Sequence, residues 1–393
     1  MIDDKLEDIP TLKKRFYKKN GLQYFIADGM DYIVDELLRL QPNEIDTYKN
    51  AATELNNMYH TAMQYVIDNQ LWDTVGIPQN AIRIIEYTWR NRDRHLPVYG
   101  RFDLSGVINN RPPKLIEFNA DTATIIPETA MIQKEQLAGA RKLPKEQFNH
   151  LYEDMSRQFE ALRKANPDKD PYILFSTMGH EEDMVNNDLI ASAAFNAGFE
   201  VQHRRLDGIE FSPDDGILIQ QGPDEYLPFY FWFKLVPWEY LAFEEPEIME
   251  ILTEIVTNDL AIIANPAYMM LAQSQAMMKI LWDLYPNHRL LLETQLSDAY
   301  FKEKPYVEKV IYGREGENIK VYNRYGHPLE ENDGDFGDYP GIFQAFEELP
   351  RDSDGDYYQA GVYFAGQPSA ISFRRRDGYI IDEDAEFIGH FIG

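Results

Sequence analysis

Tyr99-Gly-Arg-Phe-Asp-Leu-Ser105 and Lys114-Leu-Ile-Glu-Phe-Asn-Ala-Asp-Thr-Ala-Thr124 both alternate apolar and polar residues, and a turn-rich segment from Gly106 to Pro113 separates them. Residues two apart in a strand share a face and lie roughly 6.6 Å from each other. Arg101 and Asp103 would therefore point one way, as would Glu117, Asn119 and Asp121. Paired as a hairpin, the two runs would merge these polar faces into one surface. Carboxylate and amide oxygens are hard donors that suit Mg²⁺, which takes one or two carboxylates, waters and the oxygens of a substrate phosphate. Alternating strands with charges on a wet face are ordinary in antiparallel sheets, and the first run alone reads that way. The second run shifts the balance, because carboxylate, amide and hydroxyl groups crowd one strand end after the apolar Leu115-Ile116.

At 393 residues the chain is long for one domain and suits two or three tightly joined lobes. With 44% hydrophobic and 13% aromatic residues it can bury a substantial core. Its formal charge of −28 disfavours a nucleic-acid partner and favours cations, Mg²⁺ or polyamines nearby, although acidic surfaces also simply keep proteins soluble. The absence of Cys excludes disulfides, Cys-ligated zinc and a thiol nucleophile. The N-terminus lacks the basic and apolar regions of a secretory signal, and no run approaches the ~20 apolar residues of a membrane span. A cytoplasmic protein with no membrane partner is the expectation, of unspecified oligomeric state.

Residues 1 to 90 read mainly as helices, including Tyr32-Ile-Val-Asp-Glu-Leu-Leu-Arg-Leu40 and Met58 to Val66, from apolar spacings of three and four. After the hairpin, Pro127 opens a helix from near its first turn, and Phe148 to Lys164 continues the helical pattern. Asn166-Pro-Asp-Lys-Asp-Pro171 is a clear break. Beyond it, Tyr172-Ile-Leu-Phe-Ser176, a helix from about Glu182 to Asn196, and Glu200-Val-Gln-His-Arg-Arg-Leu206 form a β-α-β unit, whose ligands approach the carboxyl ends of its strands. The runs at Gly216 and Phe229 could add strands. The final third is expected to carry a helix from Leu271 to Tyr285, two strands around Gly313 and Gly316, and a hairpin over residues 370–381 with Asp377-Gly378 at its tip.

Gly313 and Gly316, in a turn between strands, would let backbone amides approach phosphate oxygens, though two glycines in a hairpin are more often only a turn. Lys309 before the loop and Arg314 inside it supply cations. Lys279 lies in an apolar run and either snorkels to water or meets an anion. Arg374 and Arg376 share a face, which could clamp a phosphoryl group or simply be solvated.

Arg101-Phe-Asp-Leu104, then Glu117-Phe-Asn-Ala-Asp-Thr122, and later Gly313-Arg-Glu-Gly316 resemble, in this order and from about residue 95 onward, the motifs of the glutathionylspermidine synthase family of ATP-grasp amide ligases. The resemblance implies an α/β (α+β) chain with an ATP-grasp fold of the permuted glutathione-synthetase-like type, metal ligands preceding nucleotide lysines. Residues 1–95 would be a helical region packed on the core, 96–170 its metal-binding hairpin and helices, 171–264 a parallel α/β substrate lobe, and 265–393 the nucleotide-binding and lid part. It further implies ATP and two Mg²⁺ ions, the metals held by Asp103, Glu117 and Asn119. Arg101 and Arg374 would act at the reacting phosphoryl group. Lys279 and Lys309 would contact the nucleotide, with Gly313, Arg314 and Gly316 in a mobile lid. Glu181 and Glu182 resemble an acidic pair suited to an ammonium group, and Thr122 and Thr124 stand on the substrate side where the family tends to have serines.

The activity so implied is ATP-dependent joining of a carboxylic acid to an amine through an acyl phosphate. The acid would be glutathione or another peptide-like acid, and the amine spermidine or a related one. The bifunctional members' amidase domain uses a cysteine, which this chain lacks, so product hydrolysis is not expected. An Mg-dependent phosphohydrolase and a nucleotide-binding protein without turnover remain open on the residues alone.

Overall fold

The computed structural model describes residues 2–27 and 32–393; Met1 and residues 28–31 of the expected N-terminal helices lie outside it. The quoted runs form antiparallel strands Gly100–Ser105 and Lys114–Asn119, with Arg101 opposite Asn119 and Asp103 opposite Glu117. The register slips after Asp103, so Ile116 has no residue opposite it. Apolar Phe102, Leu104, Leu115 and Phe118 turn to the core, where the Phe102 and Phe118 rings stack 3.9 Å apart and Tyr59 meets Phe118 edge-on. Burial of this face leaves the opposite one to polar groups.

The hairpin is one edge of a seven-stranded sheet, continued by Tyr357–Phe364, Pro368–Arg376, Glu386–Ile392, Ile33–Leu40 and Leu6–Asp8. Under it runs the 28-residue helix Pro42–Asn69, started by Pro42 and a Gln41–Glu44 capping box, and buried at Tyr48, Ala51, Ala52, Leu55, Tyr59, Ala62 and Val66. The expected helix at Tyr32–Leu40 is instead a strand. Leu37 and Leu38, both wholly buried, belong to different core clusters on its two sides. A short run buried on both faces cannot be told from a helix by periodicity.

The β-α-β unit forms as expected. Strands Tyr172–Thr177 and Glu200–Arg205 pair in parallel around helix Glu181–Asn196, and Phe231–Lys234 and Ile262–Ala264 complete a four-stranded parallel sheet. The run at Gly216 goes elsewhere, into a small antiparallel sheet with Glu210–Ser212 and Glu225–Phe229. A five-stranded antiparallel sheet carries Tyr306–Val310 and Ile319–Tyr322 with the Gly313–Gly316 loop between them.

Two further expectations are corrected. The helix over 271–285 is broken into Met269–Gln273 and Met277–Leu284, where Ser274 adopts extended backbone and its hydroxyl donates to the Val75 carbonyl at 2.8 Å. The last hairpin is wider than its Asp377-Gly378 signal suggests: Arg374 pairs with Phe387, and residues 377–385 form a loop. No helix among the described residues is long and apolar enough to cross a membrane.

Candidate active site

The polar face of the hairpin forms the floor of a cavity of about 600 Å³. Arg101, Asp103, Glu117, Asn119, Thr122 and Thr124 line it from the hairpin, Glu181 and Glu182 from the start of the 181–196 helix, Arg314 and Gly316 from the glycine loop, and Arg374 from the last strand pair. A narrower slot opens beside it between the five-stranded sheet and residues 379–381, walled by Val307, Ile319, Val321, Phe346 and Leu349, with Lys309 inside. Glu117, Gly316, Gln359 and Ile381 border both spaces.

Arg101 forms a two-pronged bond to Asp103, with Nε to Oδ1 at 2.7 Å and Nη2 to Oδ2 at 2.9 Å. The Asn119 amide donates to Asp103 Oδ2 at 3.0 Å and Glu117 Oε1 at 3.1 Å, so one amide bridges both carboxylates. Burial, with Glu117 nearby, pushes the Asp103 carboxyl up to about 6 despite Arg101. Burial would raise Glu117 as well, but Lys309 and the Asn119 and Gln275 amides hold it below its usual range. Lys309 gives its ammonium to the Ile116 carbonyl at 3.0 Å, the residue the register slip leaves unopposed. Burial lowers that ammonium's pKa even beside Glu117 and Asp103.

Among the described residues no group of three or more His, Cys, Asp or Glu is placed to cage an ion. A buried carboxylate, Asp103, and a half-buried one, Glu117, joined by an amide whose own oxygen is a further hard donor, are instead the half-open set that Mg²⁺ accepts when phosphate oxygens and waters complete it. The residues fit that ion.

The glycine loop closes tightly. Gly316 has φ +74°, and a Cβ there would meet the Asp382 Cα at 2.9 Å and the Ile381 carbonyl oxygen at 2.9 Å, so only glycine fits against this backbone. Arg314 is held by Glu239, Nη2 to Oε1 at 2.6 Å, and lies 5.1 Å over the Phe336 ring. Arg374 donates to the carbonyls of Asp382 and Ala385 and lies 5.3 Å over the Tyr32 ring. Glu182 is raised above its usual range, by burial and then by Asp183.

Not every expected residue reaches this place. Lys279 pairs with Asp283 one helical turn on and borders neither space. Gly313 borders only a small crevice with Glu117, Gln275, Lys309 and Gly316. Asp121 does not share the surface of Glu117 and Asn119; it lies past the strand end, buried against Lys234 and the Trp238 amide. Two glutamines were missed. Gln273 Oε1 accepts the Ala120 and Asp121 amides, and Gln275 Nε2 donates to Glu117 Oε2 at 2.8 Å. Their signal was two amides in the apolar run 269–281.

Gly361 lies opposite Asp103 on the neighbouring strand, and a Cβ there would come within 2.9 Å of Arg101 Cδ. Gly361→Ala is expected to push Arg101 off its two-pronged bond and to lower turnover roughly 10–100-fold with the thermal midpoint little changed; steady-state kinetics beside a melting curve checks this.

Glu128 opens the helical segment after the hairpin and accepts the Tyr32 hydroxyl at 2.9 Å. Burial, with Glu182 nearby, raises its carboxyl to about 7. The protonated form is thus favoured by folding, a stabilisation complete below the ordinary value of about 4.5 and lost as pH rises through about 7. In wild type, the unfolding free energy from urea titration should fall across that window by an amount on the order of 1–3 kcal/mol, and Glu128→Gln should flatten the fall; an equal slope in both proteins would remove Glu128 as its source.

A protein of Haemophilus influenzae provisionally named an acid–amine ligase is 28% identical over 391 residues, covering 94% of each chain. The bifunctional glutathionylspermidine synthetase/amidase of Escherichia coli is 25% identical over 338 residues, 80% of this chain and 52% of that one, so the chain spans about half the length of that relative. Among solved structures, a glutathione synthetase-like effector of Globodera pallida in its apo form superposes with a TM-score of 0.55 at 9% identity, over 98% of this chain and 100% of that one, and shows the same fold. The family model described as glutathionylspermidine synthase preATP-grasp matches residues 6–393, and the chain belongs to that family of carbon–nitrogen ligases.

Proposed function

We propose that the protein joins a peptide-like carboxylic acid, glutathione or a relative, to a polyamine-like amine at the expense of ATP, through an acyl phosphate. What carries this reading is a single cavity in which a carboxylate–amide floor, with Arg101 bonded into it, is joined by Arg314 and Arg374, with Glu181 and Glu182 on its rim. Asp103, Glu117 and Asn119 would hold Mg²⁺, two ions in our reading, and the metal when bound supplies neutralisation of the β- and γ-phosphate charge.

The chain's own groups do the rest. The apolar slot takes the flat face of the base, and Lys309 at its inner end meets the phosphates leading into the large cavity. Arg101 and Arg374 then orient the γ-phosphoryl group for in-line attack by the substrate carboxylate; a carboxylate oxygen–phosphorus bond forms as the bond to ADP breaks. The amine attacks the acyl carbon, phosphate leaves, and the ammonium proton passes to a rim carboxylate such as Glu182. The glycine loop keeps water from the acyl phosphate while it lives. Lys279 has no part in this scheme, because it borders neither the large cavity nor the slot.

The test is ADP release from Mg-ATP with panels of acids and amines, the condensed product being identified by mass. Release that needs both acid and amine supports ligation. Release at full rate without an amine would instead assign a phosphohydrolase.

A further inference from the structure

Behind the glycine loop lies a second cavity of about 640 Å³ that the ligation scheme does not use. It sits between helix Trp238–Phe243 and residues 335–340, and Arg314, Asp335 and Phe336 separate it from the large cavity. Five carboxylates line it, from Asp73, Glu239, Glu244, Asp335 and Asp338, against one cation, Arg314. Among the described residues, only Glu239 of these five has an ion-pair partner, and that partner is Arg314.

Acidic side chains on a surface do not by themselves make a site. Two further features do so here. Glu239 is 2% exposed, and while its Oε1 takes Arg314, its Oε2 has no hydrogen-bond partner. A buried carboxylate oxygen left unpaired costs free energy that a donor would recover. The remaining wall is apolar and carries four aromatic rings, of Tyr240, Phe243, Phe336 and Tyr339, with Phe243 edge-on to Tyr339 at 5.2 Å. Ring faces attract cations with an apolar body, and Arg314 over Phe336 already shows the mode.

We propose that this cavity binds an organic ammonium ion, its charged end on Glu239 and its methylene chain against the aromatic wall. A small hydrated metal ion would gain nothing from the rings, whereas an alkylammonium uses both halves of the lining. Because Arg314 and the ligand share Glu239, filling the cavity weakens the bond that ties the glycine loop back. The site depends on this lining alone and not on the ligation reading.

Calorimetric titration of spermidine into the nucleotide-free protein tests it. At ~0.15 M salt, where the Debye length is about 8 Å, diffuse attraction to the acidic surface is weak. The Glu181→Gln/Glu182→Gln double variant, which removes the rim carboxylates of the large cavity, should still bind one equivalent. In that background Glu239→Gln should weaken binding at least tenfold, and Phe336→Leu, on an outer loop and safe for folding, at least threefold. No saturable heat in the double variant, or an affinity unmoved by both further substitutions, overturns the proposal. Loss of amine-dependent ADP release with spermidine binding intact would count against the ligation reading alone.

Discussion

Asp103→Asn and Glu117→Gln should each lower acid- and amine-dependent ADP release by at least about 10²–10³-fold, the range seen when one pre-organised charge-stabilising group is removed. Both substitutions keep shape and remove one negative charge from a floor that has only two carboxylates bridged by Asn119. With one gone, a divalent ion loses half of its anionic protein donors. The fold should survive. Asn at 103 can still accept a bond from Arg101, which keeps its second contact at the Thr124 carbonyl, and Gln at 117 can still accept from the Gln275 amide. Melting curves within a few degrees of wild type would separate lost chemistry from lost structure. Calorimetry with Mg-ATP adds a second reading, since the heat of nucleotide binding at millimolar Mg²⁺ should fall along with turnover. Near-normal rates in either variant would remove these carboxylates from the role of metal ligands.

The hairpin was legible because its two faces differ so sharply: Phe102 and Phe118 must be buried, and Arg101, Asp103, Glu117 and Asn119 then share what is left. The β-α-β unit was legible from a buried-type run at Tyr172–Thr177 followed by a helix closed at Gly198 in left-handed backbone, although the second strand, Glu200–Arg205, is polar and largely exposed. Where the reading failed, the missing information was long-range. Leu37 and Leu38 reveal a strand only once the terminal strand Glu386–Ile392 lies beside them, more than three hundred residues on. The Ser274 break in the 269–284 helix depends on the distant Val75 carbonyl. Asp121 follows the strand periodicity on paper, yet the chain leaves the sheet after Asn119 and carries that carboxylate into the core. Lys279 is a different case, because its partner is local. A lysine in an apolar run can meet a ligand or a neighbour, and here Asp283, one turn on in the same expected helix, was a neighbour that the i,i+4 spacing already offered.

Asp121 leads to the second large effect. Its carboxylate accepts both the Lys234 ammonium, at 2.8 and 3.0 Å, and the Trp238 amide at 3.0 Å, in a pair whose side chains are 1% and 0% exposed. Burial raises the acid above its usual range and lowers the amine, so each is held charged chiefly by the other, with Trp238's ring 4.4 Å beneath the ammonium. Lys234→Met fills similar space and leaves Asp121 buried with no countercharge; the expected loss is about 3–5 kcal/mol, read from urea unfolding as a lower midpoint at unchanged slope. Adding Asp121→Asn should recover much of that loss, because the uncompensated charge disappears while an amide oxygen can still accept from Trp238. The pair also ties the end of the 114–119 strand to the helix that carries Glu239, so Lys234→Met should weaken nucleotide binding even where the protein remains folded. If the single and double variants unfold at the same urea concentration as wild type, Asp121 is balanced by some other group, and the end of the metal-binding strand is not anchored through this pair.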